Sequence, residues 1–232
     1  IGGTLDDKYN LPSSFQLIAQ LLATFVVVLS QIDITFINNP FNGYFHLDWA
    51  TYSFNLLNIP LSLVFPGDIL IIPWIILFIN ALKWVGGSDG LIETNSLIAF
   101  VLLFVLGIRN ESAVIAAISI TTAGLILGSL YYNFPPAKIF TGSTGKTAYG
   151  FLISTLALVN GAKVATTLII LAIPIIDALI TLIIRYKKYR PKNPLELLRI
   201  NDKSHLHHHL LELGLNNRQI LLVESSLALL VG

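Results

Sequence analysis

The sequence predicts an all-α protein, a polytopic bundle of transmembrane helices. Three observations carry that expectation. Hydrophobic residues make up 54% of the 232-residue chain and charged residues only 12%, about half the charged share of a soluble domain. Mean hydropathy is +0.75. Apolar runs of near-spanning length recur at 15–29, 69–82, 97–108, 113–130, 149–159, 164–184 and 220–231, and a helix crosses a bilayer core with about 20 residues. Several runs reach that length only by extending into polar flanks. About seven to eight spans are expected, all within one integral membrane domain covering residues 1–232.

The first run is preceded by Asp6 and Asp7, adjacent carboxylates at the edge of an apolar segment. Such a pair is costly near lipid unless it binds a cation, meets a partner or does chemistry, and hard oxygen ligands of this kind suit Mg²⁺ beside a phosphate. A solvated helix end is the plainer reading. The connection 31–68 holds no Lys or Arg and is read as an outward loop. Lys8, Lys83, Lys138, Lys146 and the eight basic residues from Arg185 to Arg218 fall in the opposite set of connections, and only Arg109 and Lys163 in the outward set. Twelve against two places the polar clusters on the cytoplasmic side of the cell membrane. Net charge is only +1, which suggests no nucleic-acid partner.

Past the second run, Asn80-Ala81-Leu82-Lys83 leads into Gly86-Gly87-Ser88-Asp89-Gly90. Paired glycines admit close backbone approach and Asp89 adds a carboxylate, although a plain turn between helices reads as well. Between the fourth and fifth runs stand Asn133, Lys138, the Gly142-Ser143-Thr144-Gly145 stretch and Lys146. Backbone N–H groups flanked by two cations would cradle a phosphate, yet the spacing is not that of a P-loop. Asp177, three residues after Pro174, lies inside the sixth run, with Arg185 as its simplest partner. The segment 204–214 reads as a short helix capped by Ser204 and stopped by Gly214, with His205, His208, His209 and Glu212 on one face and His207 apart. A zinc site from His205 and His209 lacks a third ligand at useful spacing. A histidine face beside basic loops suits a phosphate ligand. With no Cys, disulfides and thiolate metal sites are excluded. The chain has no Met and closes inside an apolar run at Gly232, so a fragment is expected.

In this order the segments resemble the polyprenyl-phosphate N-acetylhexosamine-1-phosphate transferases. The matching text is Leu5-Asp6-Asp7-Lys8-Tyr9-Asn10-Leu11-Pro12, Asn80-Ala81, Ser88-Asp89-Gly90-Leu91, Asn133, Pro136-Ala137-Lys138, Phe140-Thr141-Gly142, Pro174 with Asp177 and Arg185, and Asp202-Lys203-Ser204-His205-Leu206-His207-His208. Asn38-Asn39-Pro40-Phe41 looks like the family's outward hairpin. The histidine motif is closer to the GlcNAc-1-phosphate branch than to the muramoyl branch.

The resemblance implies a ten-helix enzyme, here without its first two helices and most of the third. It implies transfer of a sugar-1-phosphate from a UDP-N-acetylhexosamine to undecaprenyl phosphate with release of UMP, at the start of a cell-envelope glycan such as peptidoglycan, teichoic acid or O-antigen lipopolysaccharide. By the same resemblance Asp6, Asp7 and Asp89 are catalytic and hold Mg²⁺, with Mn²⁺ as an alternative. Asn80, Lys83, Asn133, Lys138, Lys146, His205, His207 and His208 bind substrate, and a homodimer is left open. Three positions depart from the family pattern: Lys83 stands for Asn, and Gly86 and Ser143 stand for aspartates. Lys83 and Lys146 would then supply fixed charge and a weaker Mg²⁺ requirement. The alternative is a homologue that binds nucleotide-sugar or lipid phosphate without turnover. A transporter fits poorly, because the polar residues gather on one membrane face rather than at the midplane.

Overall fold

A computed structural model describes residues 1–38, 43–56, 58–159, 171–191, 193, 196, 200, 202 and 204–231. Asn39-Pro40-Phe41, Lys163, Lys192, Arg199 and Lys203, and the first part of the 164–184 run, lie outside the described residues.

The described chain is mostly helical. Its helices are α1 (Gly2–Tyr9), α2 (Ser13–Leu29), α3 (Gly67–Val85), α4 (Leu91–Arg109), α5 (Ala113–Asn133), α6 (Ser143–Val159), α7 (Ala172–Tyr189), α8 (Leu206–Glu212) and α9 (Asn217–Val231). Among the described residues three helices, α3, α4 and α5, are long and apolar enough to cross a membrane, and α2 is a shorter apolar helix.

Strands qualify the all-α expectation. The basic-free connection between α2 and α3 carries two antiparallel pairs, β1 (Phe36–Asn38) with β2 (Tyr44–His46) and β3 (Asp48–Leu56) with β4 (Ile59–Pro66). Register runs from Phe36 opposite His46 and from Leu56 opposite Ile59. Aromatic and β-branched residues such as Trp49, Thr51, Tyr52 and Phe54 favour the extended state, and Asn58 supplies the left-handed turn residue at φ 66°.

The core gathers on α3, where Ile71, Ile75, Phe78, Ile79 and Leu82 are fully buried. Helix α3 packs against α2, α6 and α7, and α4 against α5. Two glycines set close crossings. A Cβ on Gly150 would stand 2.6 Å from the Ile79 Cα, and one on Gly107 would stand 2.8 Å from the Ala116 nitrogen. Small residues that let backbones meet are the usual contact between helices in lipid. Outward, α5 shows Val114, Leu125 and Leu127 to the surroundings, the exposed apolar face of a helix that lies against hydrocarbon.

Candidate functional site

Asp6 and Asp7 are neighbours in sequence with separate duties. Asp6 is buried, and its Oδ1 accepts from the Leu11 N–H at 3.1 Å and from Gln16 Nε2 at 2.8 Å. It thereby fixes the turn between α1 and α2, which Asn10 makes in the left-handed conformation at φ 48°. The other end of the same glutamine, Oε1, accepts from the Lys83 ammonium. Asp7 turns the other way. Its carboxylate accepts from the Ser143 N–H at 2.6 Å, the Thr144 N–H at 3.0 Å and the Thr144 hydroxyl at 2.7 Å. This carboxylate caps α6, where unpaired N–H groups and the helix dipole favour an anion. Gly3 and Gly142 make the approach feasible: a Cβ on Gly3 would lie 2.5 Å from the Thr144 Cα, and one on Gly142 2.6 Å from the Asp7 carboxylate. The N–H cradle read as a phosphate site thus serves an internal anion. Burial opposes ionisation of Asp7, but the Thr144 and Ser143 hydrogen bonds and the Lys146 charge outweigh it and hold the carboxyl below its ordinary range.

The glycine turn after α3 meets α6 and α8. Lys146 Nζ donates to the Gly86 carbonyl at 3.2 Å, and the His207 ring lies on Gly87, where a Cβ would come within 2.3 Å of Nε2. Asp89 accepts from the Ala137 N–H at 3.2 Å and from Asn217 Nδ2 at 3.3 Å, pinning the loop after α5 and the start of α9. Gly90, at φ 72°, donates its N–H to Asn133 Oδ1 at 2.7 Å. Asn133 Nδ2 donates to Glu93 Oε1 at 2.9 Å, and the Thr141 hydroxyl donates to the same oxygen.

Glu93 is the residue that sequence reasoning missed. It is 1% exposed and lines, with Asp89, Asn133 and Lys146, a cavity of about 50 Å³ beside Gly86 and Gly87. A lone glutamate three residues after Gly90, inside an otherwise apolar helix, was the available signal.

The histidines divide differently from the expected face. His205, not Ser204, is the N-cap of α8, in extended conformation. It turns inward, with Nδ1 at 2.8 Å from Asp177 Oδ2 and Nε2 at 3.4 Å from an Arg185 nitrogen. That pattern suits the tautomer with its proton on Nδ1, donating to Asp177. Asp177 also accepts from the Leu206 N–H at 2.7 Å. Arg185 pairs with Asp202 at 2.9 Å instead of with Asp177, so the simplest expected partnership is corrected. Asp202 is held below its ordinary carboxyl range: burial opposes, but the Ser204 hydroxyl and Arg185 prevail. His205 is therefore a positioning residue. It stacks at 5.8 Å on His207, which in turn meets His208 at 4.2 Å. His207 is 2% exposed, and its Nε2 finds no hydrogen-bond partner among the described residues. Burial, then the neighbouring His208 and His205, push its pKa down to about 4. His209 and Glu212, 3.5 Å apart, are exposed and leave the site.

Two expected substrate residues lie apart from this cluster. Asn80 Nδ2 donates to Gln20 Oε1 at 3.0 Å and to the Ile76 carbonyl at 2.8 Å, tying α3 to α2. Lys138 is exposed on the loop after α5. What the structure does bring together is Asp7, Lys146, the glycine turn with Asp89, Glu93, Asn133 and His207, all at one end of the bundle.

The Mg²⁺ implied by the resemblance would need Asp6, Asp7 and Asp89 as joint donors. Asp6, Asp7 and Asp89 each engage a different set of protein donors, and among the described residues no three His, Asp or Glu side chains stand close enough to hold a metal ion. Gly86 and Ser143 carry no carboxylate, and the ammonium of Lys146 stands at Gly86. The donor set does not fit a divalent cation held by those three aspartates.

A family model described as glycosyl transferase family 4 matches residues 1–161, which takes in α1 to α6 and leaves out α7, the histidine segment and α9. A probable undecaprenyl-phosphate N-acetylglucosaminyl 1-phosphate transferase of Bacillus subtilis (strain 168) is 32% identical over 228 residues, 95% of this chain and 58% of its own. Phospho-N-acetylmuramoyl-pentapeptide-transferases of Staphylococcus haemolyticus and Clostridium beijerinckii are each 32% identical, over 183 and 163 residues. They cover 78% and 68% of this chain and 55% and 48% of their own. The chain thus spans about half the length of these curated relatives.

Proposed function

This chain belongs to glycosyl transferase family 4, and from that premise we propose that it transfers a sugar-1-phosphate from a UDP-sugar to undecaprenyl phosphate at the cytoplasmic face of the cell membrane. The sugar is an N-acetylhexosamine, UMP leaves, and the product starts a cell-envelope glycan. The observation that carries the reading is the convergence of Asp7, Lys146, the Gly86–Asp89 turn and His207 at one end of an apolar bundle. Both substrates are phosphate anions, one in the membrane and one in water, and a polar cleft at the membrane surface can receive both.

The chemistry asks for positioning and charge neutralisation more than for covalent help. A phosphate oxygen of the lipid forms a bond to the sugar-bearing phosphorus, and the bridging oxygen leaves with UMP. The nucleophile is already anionic, so no strong base is required. Asp7, ionised and committed to three donors, is poorly placed to attack phosphorus itself. Its work is to fix α1 on α6 and thereby aim Lys146. Lys146 and Lys83 offset the charge of the phosphates. His207, uncharged at neutral pH, presses on the glycine turn and sets its height.

A homologue that binds without turnover is the second reading, favoured by the missing carboxylates at Gly86 and Ser143. Exchange of labelled UMP into a panel of UDP-N-acetylhexosamines, with and without undecaprenyl phosphate, separates the two. Exchange that requires the lipid supports transfer. UMP binding without exchange supports the binding homologue, and neither would sink both.

A further inference from the structure

Lys146 is an ammonium with little to hold. Of its three protons one reaches the Gly86 carbonyl at 3.2 Å, and the others meet no protein acceptor among the described residues. No carboxylate oxygen lies within 4 Å of it among those residues. Glu93 and Asp7 are close enough to act on it electrostatically, but Glu93 Oε1 is taken by Asn133 and Thr141 and Asp7 by Ser143 and Thr144. Lys83 is in a similar condition. Its one hydrogen-bond partner among the described residues is the neutral Gln16. Of the charges around it the Asp6 carboxylate acts on it most, then the like charge of Lys146 and then Asp7, none of them in an ion pair with it. Two half-buried ammoniums that converge without a salt bridge are stabilised by an anion placed between or beside them. The cavity at Lys146, about 50 Å³, holds a group a few waters in size.

We propose that Lys146, with Lys83 behind it, is the fixed cation that receives a phosphate of the nucleotide, so that nucleotide binding here does not require a divalent metal. Resting on the transferase reading, this adds to it which residue neutralises the diphosphate. The geometry also explains the absence of a carboxylate at position 86. A Cβ there would lie 2.2 Å from Ile92 Cδ1 and 2.9 Å from the Lys146 ammonium, so an aspartate would have to displace the isoleucine and would then pair with the lysine and cancel the charge the phosphate needs.

The test is UMP binding by calorimetry to the full-length purified protein, in excess EDTA and in excess Mg²⁺. Wild type is expected to bind with affinities within about threefold of each other in the two buffers, under 1 kcal/mol apart. Lys146→Met should lose roughly 10-fold or more in EDTA, the scale of a charge-assisted hydrogen bond, while Lys146→Arg keeps most of the affinity. Gly86→Asp should imitate Lys146→Met in EDTA. Thermal unfolding of each variant, within a few degrees of wild type, excludes misfolding as the cause. Should EDTA weaken wild-type binding roughly 10-fold or more, or Lys146→Met bind as wild type does, the proposal is overturned while the transferase reading stands. UMP binding in neither buffer would overturn both.

Discussion

Acid should weaken this fold through one imidazole. His207 lies 2% exposed between Gly87 and its two neighbouring rings, and its pKa is pushed from 6.5 to about 4 by burial, His208 and His205. In the unfolded chain the same ring takes up a proton below about 6.5. Between these values the unfolded state binds more protons than the folded one, so stability rises with pH and is lost as pH falls from 6.5 toward 4. At pH 5 the gap is about 1.5 units, or about 2 kcal/mol at 1.36 kcal/mol per unit. For a chain of this size that is about 4–8 °C in melting temperature. Melting followed by tryptophan fluorescence in detergent, at pH 7.5 and pH 5.0, reads it directly. Wild type should lose about that much more on acidification than His207→Gln does. Parallel losses in the two proteins would show that His207 does not titrate as its burial requires, and would undo the argument for an uncharged ring against the glycine turn.

Other outcomes follow from the same contacts. Asp7→Asn should cut labelled-UMP exchange by up to about 100-fold, the scale of misplacing a positioned group, because the weaker cap lets α1 shift on α6 and misaims Lys146. It should also lower stability by about 1 kcal/mol, since the carboxylate caps α6; unaltered exchange would remove Asp7 from the site. Asp202→Ala strands the buried Arg185 and should cost about 3–5 kcal/mol in chemical denaturation, whereas a loss below about 1 kcal/mol would show that the arginine finds another partner. Gly150→Leu forces a side chain into the Ile79 backbone and should destabilise by about 1–3 kcal/mol or more, visible as lost monodispersity or a lowered melting temperature; a neutral result would mean that α3 and α6 separate freely.

Composition and apolar runs made the helical membrane architecture legible, because transfer free energy acts on every residue of a span. The strands were not legible in the same way. Segment 48–66 is short, mixed and β-branched, and its state is decided by pairing between Asp48–Leu56 and Ile59–Pro66, which local reading does not resolve. In the site, residue type and membrane side pointed to Asp7, Lys146 and Asp89, whereas His207 stood apart from the histidine face and was named only through the family resemblance. The sequence did not separate Asp6 from Asp7, since the two diverge only once Gln16 and Thr144 are in place. It put His205 on one face with His208, His209 and Glu212 by assuming a helix capped by Ser204, whereas capping by His205 swings the ring toward Asp177. Glu93 was hidden because a single glutamate in an apolar helix has no periodic signature.

The Gly150–Ile79 crossing has a mechanical meaning for the cleft. Gly150 is one helical turn from Lys146 and Ile79 one turn from Lys83, so both cations hang from the same fulcrum. With backbone pressed on backbone there, the spacing of the two ammoniums is set by one of the tightest joints in the bundle. Helix α1 meets α6 as closely at Gly3, so the joint that can give is that of α2 with α3, made by the hydrogen bonds of Asn80 to Gln20 and Lys83 to Gln16. The cations and the acidic end of α1 would keep one fixed gauge while α2 swings.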